Sequence, residues 1–258
     1  MLGILITLLI VYNNHLLFLV QARLLKKHIL KEAPVYTGNL QPGKINFCSL
    51  RPYSKVWAHR VNTIDRFLFL AKDLQGFEMD IFFNERGNFL DVRHPPANTI
   101  NLSFEKYLEL KESNDKMFWL DVKNLSNGNA DSILNCLNGL DKKYQLRERI
   151  IIESNNIYPL SKISKAGYFT SYYYDTESYS DFLLSGNESS RKEAFDKIDA
   201  VSQDVLIYDT LVQKFPSKPR LTWALSFKNY LSDSLFTQLD QDNDLLIYLV
   251  NIKSPKYR

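Results

Sequence analysis

Glycine, cysteine and net charge are all in short supply in this 258-residue chain, and each shortage removes a class of protein. Its 9 glycines never fall into a Gly-x-Gly-x-x-Gly or Gly-x-x-x-x-Gly-Lys pattern. Folds that cradle a nucleotide's phosphates need such turns, because only glycine lets the backbone approach that closely. No nucleotide cofactor is therefore expected. The 2 cysteines, Cys48 and Cys136, form no Cys-x-x-Cys pair, which excludes a zinc knuckle and a redox dithiol. Two free thiols are expected rather than a disulfide. The net charge of +3 comes from 32 basic and 29 acidic residues, with no basic block interleaved with aromatics. A nucleic-acid groove needs that interleaving, so no nucleic-acid partner is expected. Neither a Gly-x-Ser-x-Gly elbow nor a His-Glu-x-x-His helix occurs. With 45% hydrophobic and 24% charged residues, the chain has the composition of a folded globule.

The clearest segment is the first. Residues 2–12 are almost wholly apolar, Asn13, Asn14 and His15 interrupt them, and 16–20 resume the run. The whole is about as long as a bilayer-spanning helix. Residues 1–32, including the basic flank Arg23, Lys26 and Lys27, thus read as a membrane anchor or as a signal segment cleaved near Val20-Gln21-Ala22. Positive charge after the run would put the rest of the chain in the cytoplasm, whereas a secretory signal puts it outside. The expected location is membrane-associated, leaning extracytoplasmic, with the side left open. Pro34, Gly38, Pro42 and Gly43 mark residues 33–54 as a linker.

From residue 55 to 258 no second boundary appears. Short β-rich runs alternate with longer helical or loop stretches. The candidate strands are 55–59, 76–82, 117–122, 149–154, 167–173, 200–207, 220–226 and 245–252. Helical apolar spacing marks 64–74, 104–111 and 130–140 between them. Continuous apolar runs such as Ile150-Ile151-Ile152 suit parallel strands buried on both faces. Strand alternating with helix implies βαβ units, and eight of them favour a closed TIM-type (β/α)₈ barrel over an open sheet. Residues 174–190 are polar and read as a long loop.

A barrel gathers its chemistry at the C-terminal ends of its strands, so titratable residues there are the candidates. The first strand ends in His59-Arg60. The second carries Glu78-Met79-Asp80, whose carboxylates lie two apart and share a face. A following turn ends at Arg93-His94-Pro95-Pro96. The third strand ends in Asp121-Val122-Lys123, and the fourth in Glu153-Ser154-Asn155. Singly, such pairs are commonest on solvated loops and strand faces. Glu78 and Asp80, however, sit among Gly76-Phe77 and Ile81-Phe82-Phe83. Two neighbouring carboxylates in an apolar strand repel and lose hydration, so they need a cation or protons. Hard oxygen ligands suit Mg²⁺ or Ca²⁺.

The ordered set Ala58-His59-Arg60, Asn62-Thr63, Gly76-Phe77-Glu78-Met79-Asp80 and His94 resembles the glycerophosphodiester phosphodiesterase family. With Pro95-Pro96 after the second His and Leu120-Asp121-Val122-Lys123 beyond, it is closer still to the menorin family, barrel proteins related to phosphodiesterases. These motifs span roughly 57–123, and Trp223 falls where a strand-seven Trp is common. The resemblance implies His59 and His94 as an acid/base pair, and Arg60 and Lys123 as phosphate-binding residues. It further implies Glu78, Asp80 and Asp121 as ligands of a divalent metal, with Glu153 as an additional member. Two departures stand out: Pro95 follows the second His where the family has an acid, and Asp121 replaces the usual Glu. The insertion that the family carries after the second His is missing too.

The expected activity is metal-dependent hydrolysis of a phosphodiester small molecule or lipid headgroup, with the membrane met through the N-terminal segment. The alternative is a silent menorin-like barrel that binds or scaffolds. Retention of His59, Arg60, Glu78, Asp80, His94 and Lys123 together favours catalysis.

Overall fold

The sheet is nine-stranded and closes on itself. A computed structural model describes residues 55–205, 208–223, 239 and 241–251; the apolar segment 1–32 and the linker 33–54 lie outside them. The strands are β1 (Val56–Ala58), β2 (Gly76–Asn84), β3 (Phe89–Val92), β4 (Met117–Val122), β5 (Ile150–Ser154), β6 (Phe169–Tyr173), β7 (Ala200–Asp204), β8 (Arg220–Trp223) and β9 (Leu245–Val250). Their order is β1-β9-β8-β7-β6-β5-β4-β2-β3, and a further β1–β2 pairing shuts the ring. All pairs are parallel except β2–β3. The eight parallel strands are the eight expected from the sequence, and the fold is a TIM-type barrel.

Described helices are α1 (Ile64–Leu70), α2 (Phe104–Leu108), α3 (Ala130–Tyr144), α4 (Ile157–Lys165), α5 (Thr176–Leu184), α6 (Glu188–Lys197) and α7 (Tyr208–Lys214). Helix α3 shows how the sequence writes them. Ala130, Ile133, Leu137 and Leu140 are buried at helical spacing, and the helix stops where Gln145 turns left-handed at φ 54°. Among the described residues no helix is long and apolar enough to cross a membrane.

Alternation along the strands makes two cores. Phe77, Met79, Ile81, Phe118, Leu120, Ile150 and Ile152 face outward to the helices, where Phe67, Phe77, Phe104, Tyr107 and Phe118 pack ring against ring. Trp57, Met117, Trp119, Ile151, Phe169, Leu221 and Ile247 fill the barrel itself. Gly76 is needed there: a Cβ at that position would lie 2.0 Å from the Trp57 indole. The barrel interior is thus apolar up to the level at which Glu78 and Asp80 project inward.

Two expectations are corrected. Residues 174–190 are not a loop: they hold the whole of α5 and the start of α6. Asp175 and Asn187 cap these helices by accepting hydrogen bonds from the Ser178 and Ser190 backbones. Each helix buries one side chain, Phe182 or Ala194, so its sequence stays polar. The turn before His94 is a strand, β3, which pairs antiparallel with the far half of β2, Ile81 to Asn84. Cys136 is a half-buried free thiol, and Cys48 lies outside the described residues.

Candidate active site at the barrel mouth

His59, Arg60, Glu78, Asp80, His94, Asp121, Lys123 and Glu153, drawn from five segments of the chain, line one cavity of about 280 Å³ together with Tyr173, Gln203, Trp223 and Leu249. Strand register explains the convergence. Asp80 pairs with Asp121, and Asp121 with Glu153, so three carboxylates form a row across β2, β4 and β5. Glu78 projects from the layer below, two residues earlier on β2. One carboxylate oxygen from each of Glu78, Asp80 and Asp121 lies within 4.8 Å of the others. Glu153 lines the cavity but lies outside that trio.

The first loop holds the trio in shape. Arg60 adopts φ 55°, a left-handed turn that costs a non-glycine residue of order 1 kcal/mol. Its reward is an N–H that donates to Glu78 Oε2 at 2.6 Å. Two residues on, Asn62 grips Asp80 twice: its Nδ2 donates to Asp80 Oδ2 at 2.6 Å, and its Oδ1 accepts from the Asp80 backbone at 3.0 Å. Thr63 then caps α1. The hairpin positions His94 likewise. The Arg93 backbone N–H donates to the Asp80 carbonyl at 2.9 Å, and its guanidinium lies over the Phe82 ring and pairs with Asp91. His94, exposed, has Nδ1 2.5 Å from the Pro95 carbonyl. A carbonyl only accepts, so Nδ1 carries the proton and Nε2 is left for exchange.

Charge at the site is unbalanced. Lys123 binds Asp121 and reaches Asp80 Oδ1 at 2.9 Å; burial works against its charge, but these carboxylates raise its pKa. Asp80 is also buried, yet Lys123 and Asn62 hold its pKa below the ordinary value. Glu78 goes the other way: burial, then Asp80 and Asp121, push it well up. Burial raises Asp121 against the opposing pull of Lys123, and burial with Asp121 raises Glu153. His59 Nε2 is 3.7 Å from Glu78 Oε2. Burial, reinforced by Arg60, lowers the His59 pKa to about 4, so its imidazole is neutral at pH 7.

The donor set fits a hard divalent cation. Three oxygen donors converge, two of them with pKa values raised by burial, and one lysine is not enough to neutralise them. Glu78, Asp80 and Asp121 could hold such an ion.

No protein-family model matches the chain, and no curated protein matches it in sequence. Solved structures do match in shape. The chain is similar to the glycerophosphodiester phosphodiesterase from Thermotoga maritima, with TM-score 0.52, 15% identity and coverage of 75% of this chain and 93% of that one. It is equally similar to the glycerophosphodiester phosphodiesterase from Parabacteroides distasonis, with TM-score 0.52, 15% identity and coverage of 75% and 91%. The shared property is the barrel. At such identities the likeness carries the fold alone, and the case for an activity rests on the side chains at the mouth.

All eight residues expected at the site from the sequence lie at this mouth. Four partners were not singled out as functional. Asn62 was noted only as part of a motif, although Asn-Thr at the start of a helix signals both a polar clamp and a cap. Tyr173 and Gln203 sit at the ends of their strands but are not titratable near neutrality. Ser202 donates to Glu153 from 49 residues away, and no local pattern signals that contact.

Proposed function

We propose that the barrel is a metal-dependent phosphodiesterase acting on a phospholipid-derived or similar small phosphodiester. The observation that carries this is the convergence of the carboxylate trio, two histidines, Lys123 and Arg60 on one cavity. A phosphodiester anion needs positive charge on its non-bridging oxygens, a base for the nucleophile and an acid for the leaving alkoxide. In this reading Arg60 and Lys123 bind the phosphate, and Glu78, Asp80 and Asp121 hold the divalent ion. When bound, that ion supplies Lewis-acid neutralisation of charge developing on phosphorus-bound oxygen. His59, neutral at pH 7, takes a proton from the attacking water as the new P–O bond forms. The bond to the leaving oxygen breaks, and His94, entering the step as the imidazolium with a proton on each ring nitrogen, gives its Nε2 proton to the alkoxide. Asn62 positions Asp80.

The motif order supports a place nearest the menorin family, in particular His94-Pro95-Pro96 and Leu120-Asp121-Val122-Lys123. Residues 1–32 are proposed to tether or deliver the barrel to a membrane, where lipid-derived phosphodiesters arise. Membrane fractionation with N-terminal sequencing of the mature chain separates an anchor from a cleaved signal, and a soluble, uncleaved protein would discard both.

The test is release of alcohol from bis(p-nitrophenyl) phosphate and from glycerophosphodiesters by the full chain, with Mg²⁺, Ca²⁺, Mn²⁺ or EDTA. Metal-dependent turnover lost in His59→Ala is expected. A folded protein that turns over neither substrate type with any of these metals would overturn the catalytic reading in favour of a binding barrel.

A further inference from the structure

Two Asn-Gly steps occur in the chain, Asn127-Gly128 and Asn138-Gly139. At such a step the backbone nitrogen of the glycine can attack the carboxamide carbon of the asparagine. Glycine permits this because no Cβ shields its nitrogen and its backbone turns freely. By sequence the two steps are equivalent. The fold makes them opposites.

Asn138 lies inside α3, where the Gly139 N–H belongs to the helical hydrogen-bond ladder. Its carboxamide is held as well: Oδ1 accepts from Arg147 Nη2 and from the Tyr168 hydroxyl, both at 3.0 Å. Attack there requires both the helix and this network to open. Asn127 stands instead in the exposed turn between β4 and α3. The asparagines on either side of it are tied down. Asn124 accepts from the Phe83 backbone N–H at 2.8 Å and donates to the Phe83 carbonyl at 3.0 Å. Asn129 accepts from the Ser126 N–H and donates to the Asn124 carbonyl, both at 2.8 Å. Among the described residues the Asn127 side chain makes no such bond, and neither does the Gly128 N–H. A Cβ on Gly128 would meet nothing nearer than Ser126 Oγ at 3.8 Å, so the reacting atoms stand in the open.

We propose that Asn127 is a site of spontaneous deamidation, and that the fold protects Asn138 from the same reaction. Solvent base removes the Gly128 amide proton, and the nitrogen bonds to Asn127 Cγ. The Cγ–Nδ2 bond then breaks and ammonia leaves, taking the proton it needs from water. One water hydrolyses either C–N bond of the resulting five-membered succinimide, leaving an aspartyl or an isoaspartyl residue. Asn127 lines a cavity of about 380 Å³ with Asn155, Asn156, Tyr158 and Phe182, where Asp181 is the one charged side chain. Deamidation gives that cavity a second carboxylate, so its charge changes with the age of the molecule. The reaction is independent of the activity proposed above.

The test is incubation of the full chain in mildly alkaline buffer, native and in urea, followed by digestion in acid and peptide mass spectrometry. In the native chain Asn127 should convert, isoaspartyl product included, at least about tenfold faster than Asn138. In urea the two rates should converge to within about threefold, because the protection is structural. Gly128→Ala should slow conversion of Asn127 at least about tenfold and leave Asn138 unchanged. If that variant unfolds, the comparison of native and urea samples decides. Equal native rates, a faster Asn138, or a difference that persists in urea would overturn the proposal. So would a native Asn127 still intact after the urea sample has converted, or a folded Gly128→Ala chain that converts like the parent.

Discussion

At the N-terminal end of the barrel Arg220, 0% exposed, binds Asp244, lies 3.9 Å from Asp242 and donates to the Tyr208 hydroxyl at 2.9 Å. Lys55 closes the group by donating to the Asp242 carbonyl at 2.7 Å. One guanidinium thus reaches two carboxylates. At the C-terminal end Glu78, Asp80, Asp121 and Glu153 share the interior with Lys123 as their one directly bound lysine. Burial raises a carboxylate pKa at both ends, in Asp244 as in Glu78. At the floor one guanidinium reaches both acids, whereas at the mouth one lysine reaches two of four. A matched buried group costs much to break and does nothing else; an unmatched one is destabilising until something from outside completes it. Within one barrel, charge balance separates the end that holds the fold from the end that binds.

This contrast can be broken experimentally. The largest effect is expected on turnover: His59→Ala should lower kcat/KM by about 10²–10⁴-fold while the thermal midpoint stays near that of the parent. A comparable loss of folding would mean that His59 belongs to the structural end of the comparison. Next comes the floor. Arg220→Met leaves Asp244 and Asp242 buried without their guanidinium, and should cost roughly 3–5 kcal/mol in denaturant unfolding. A cost below about 1 kcal/mol would show that the floor is not a matched cluster.

Glu78→Gln sharpens the other side. With EDTA present it should unfold at a higher temperature than the parent, because a repelled buried carboxylate is gone. It should also lose the metal-induced stabilisation, about 2.7 kcal/mol for the parent at a hundredfold excess of ion over Kd. Unchanged metal-induced stabilisation would remove Glu78 from the ligand set.

The smallest effect is on pH dependence. The folded pKa of Glu78 is raised, so its contribution favours the metal-free fold below pH about 4.5 and is lost as pH rises through the folded value. His59 acts oppositely: with a folded pKa of about 4 against 6.5 unfolded, its contribution is present above 6.5 and is lost as pH falls toward 4. The parent-minus-Glu78→Gln difference in midpoint isolates the carboxylate. It should grow more negative with rising pH in EDTA and flatten with Mg²⁺. A difference independent of pH would contradict the raised carboxylate.

Much of the mouth was legible in the sequence because period-two spacing along a strand is a local property. Glu78 and Asp80 had to share a face, as did Asp121 and Lys123, and a barrel sends strand ends to one mouth. The β3 strand was missed because its pairing with β2 is a contact and not a pattern. Helices α5 and α6 were missed because each buries one side chain, too few to print a period on a polar stretch. Glu153 was legible as an acid at a strand end, but not that it would stand outside the trio and accept from Ser202.

The eight parallel strands, the inward-facing residues and the surplus of acid at the strand ends were therefore determined by the sequence itself, since each depends on neighbours one to four positions away. Which acids meet, which cation reaches them and what stands opposite were decided only by closure of the sheet. Asp80, Asp121 and Glu153 become a row through strand register, and Ser202 meets Glu153 across 49 residues. Charge compensation acts through space over a few ångströms, and only the folded barrel sets those distances.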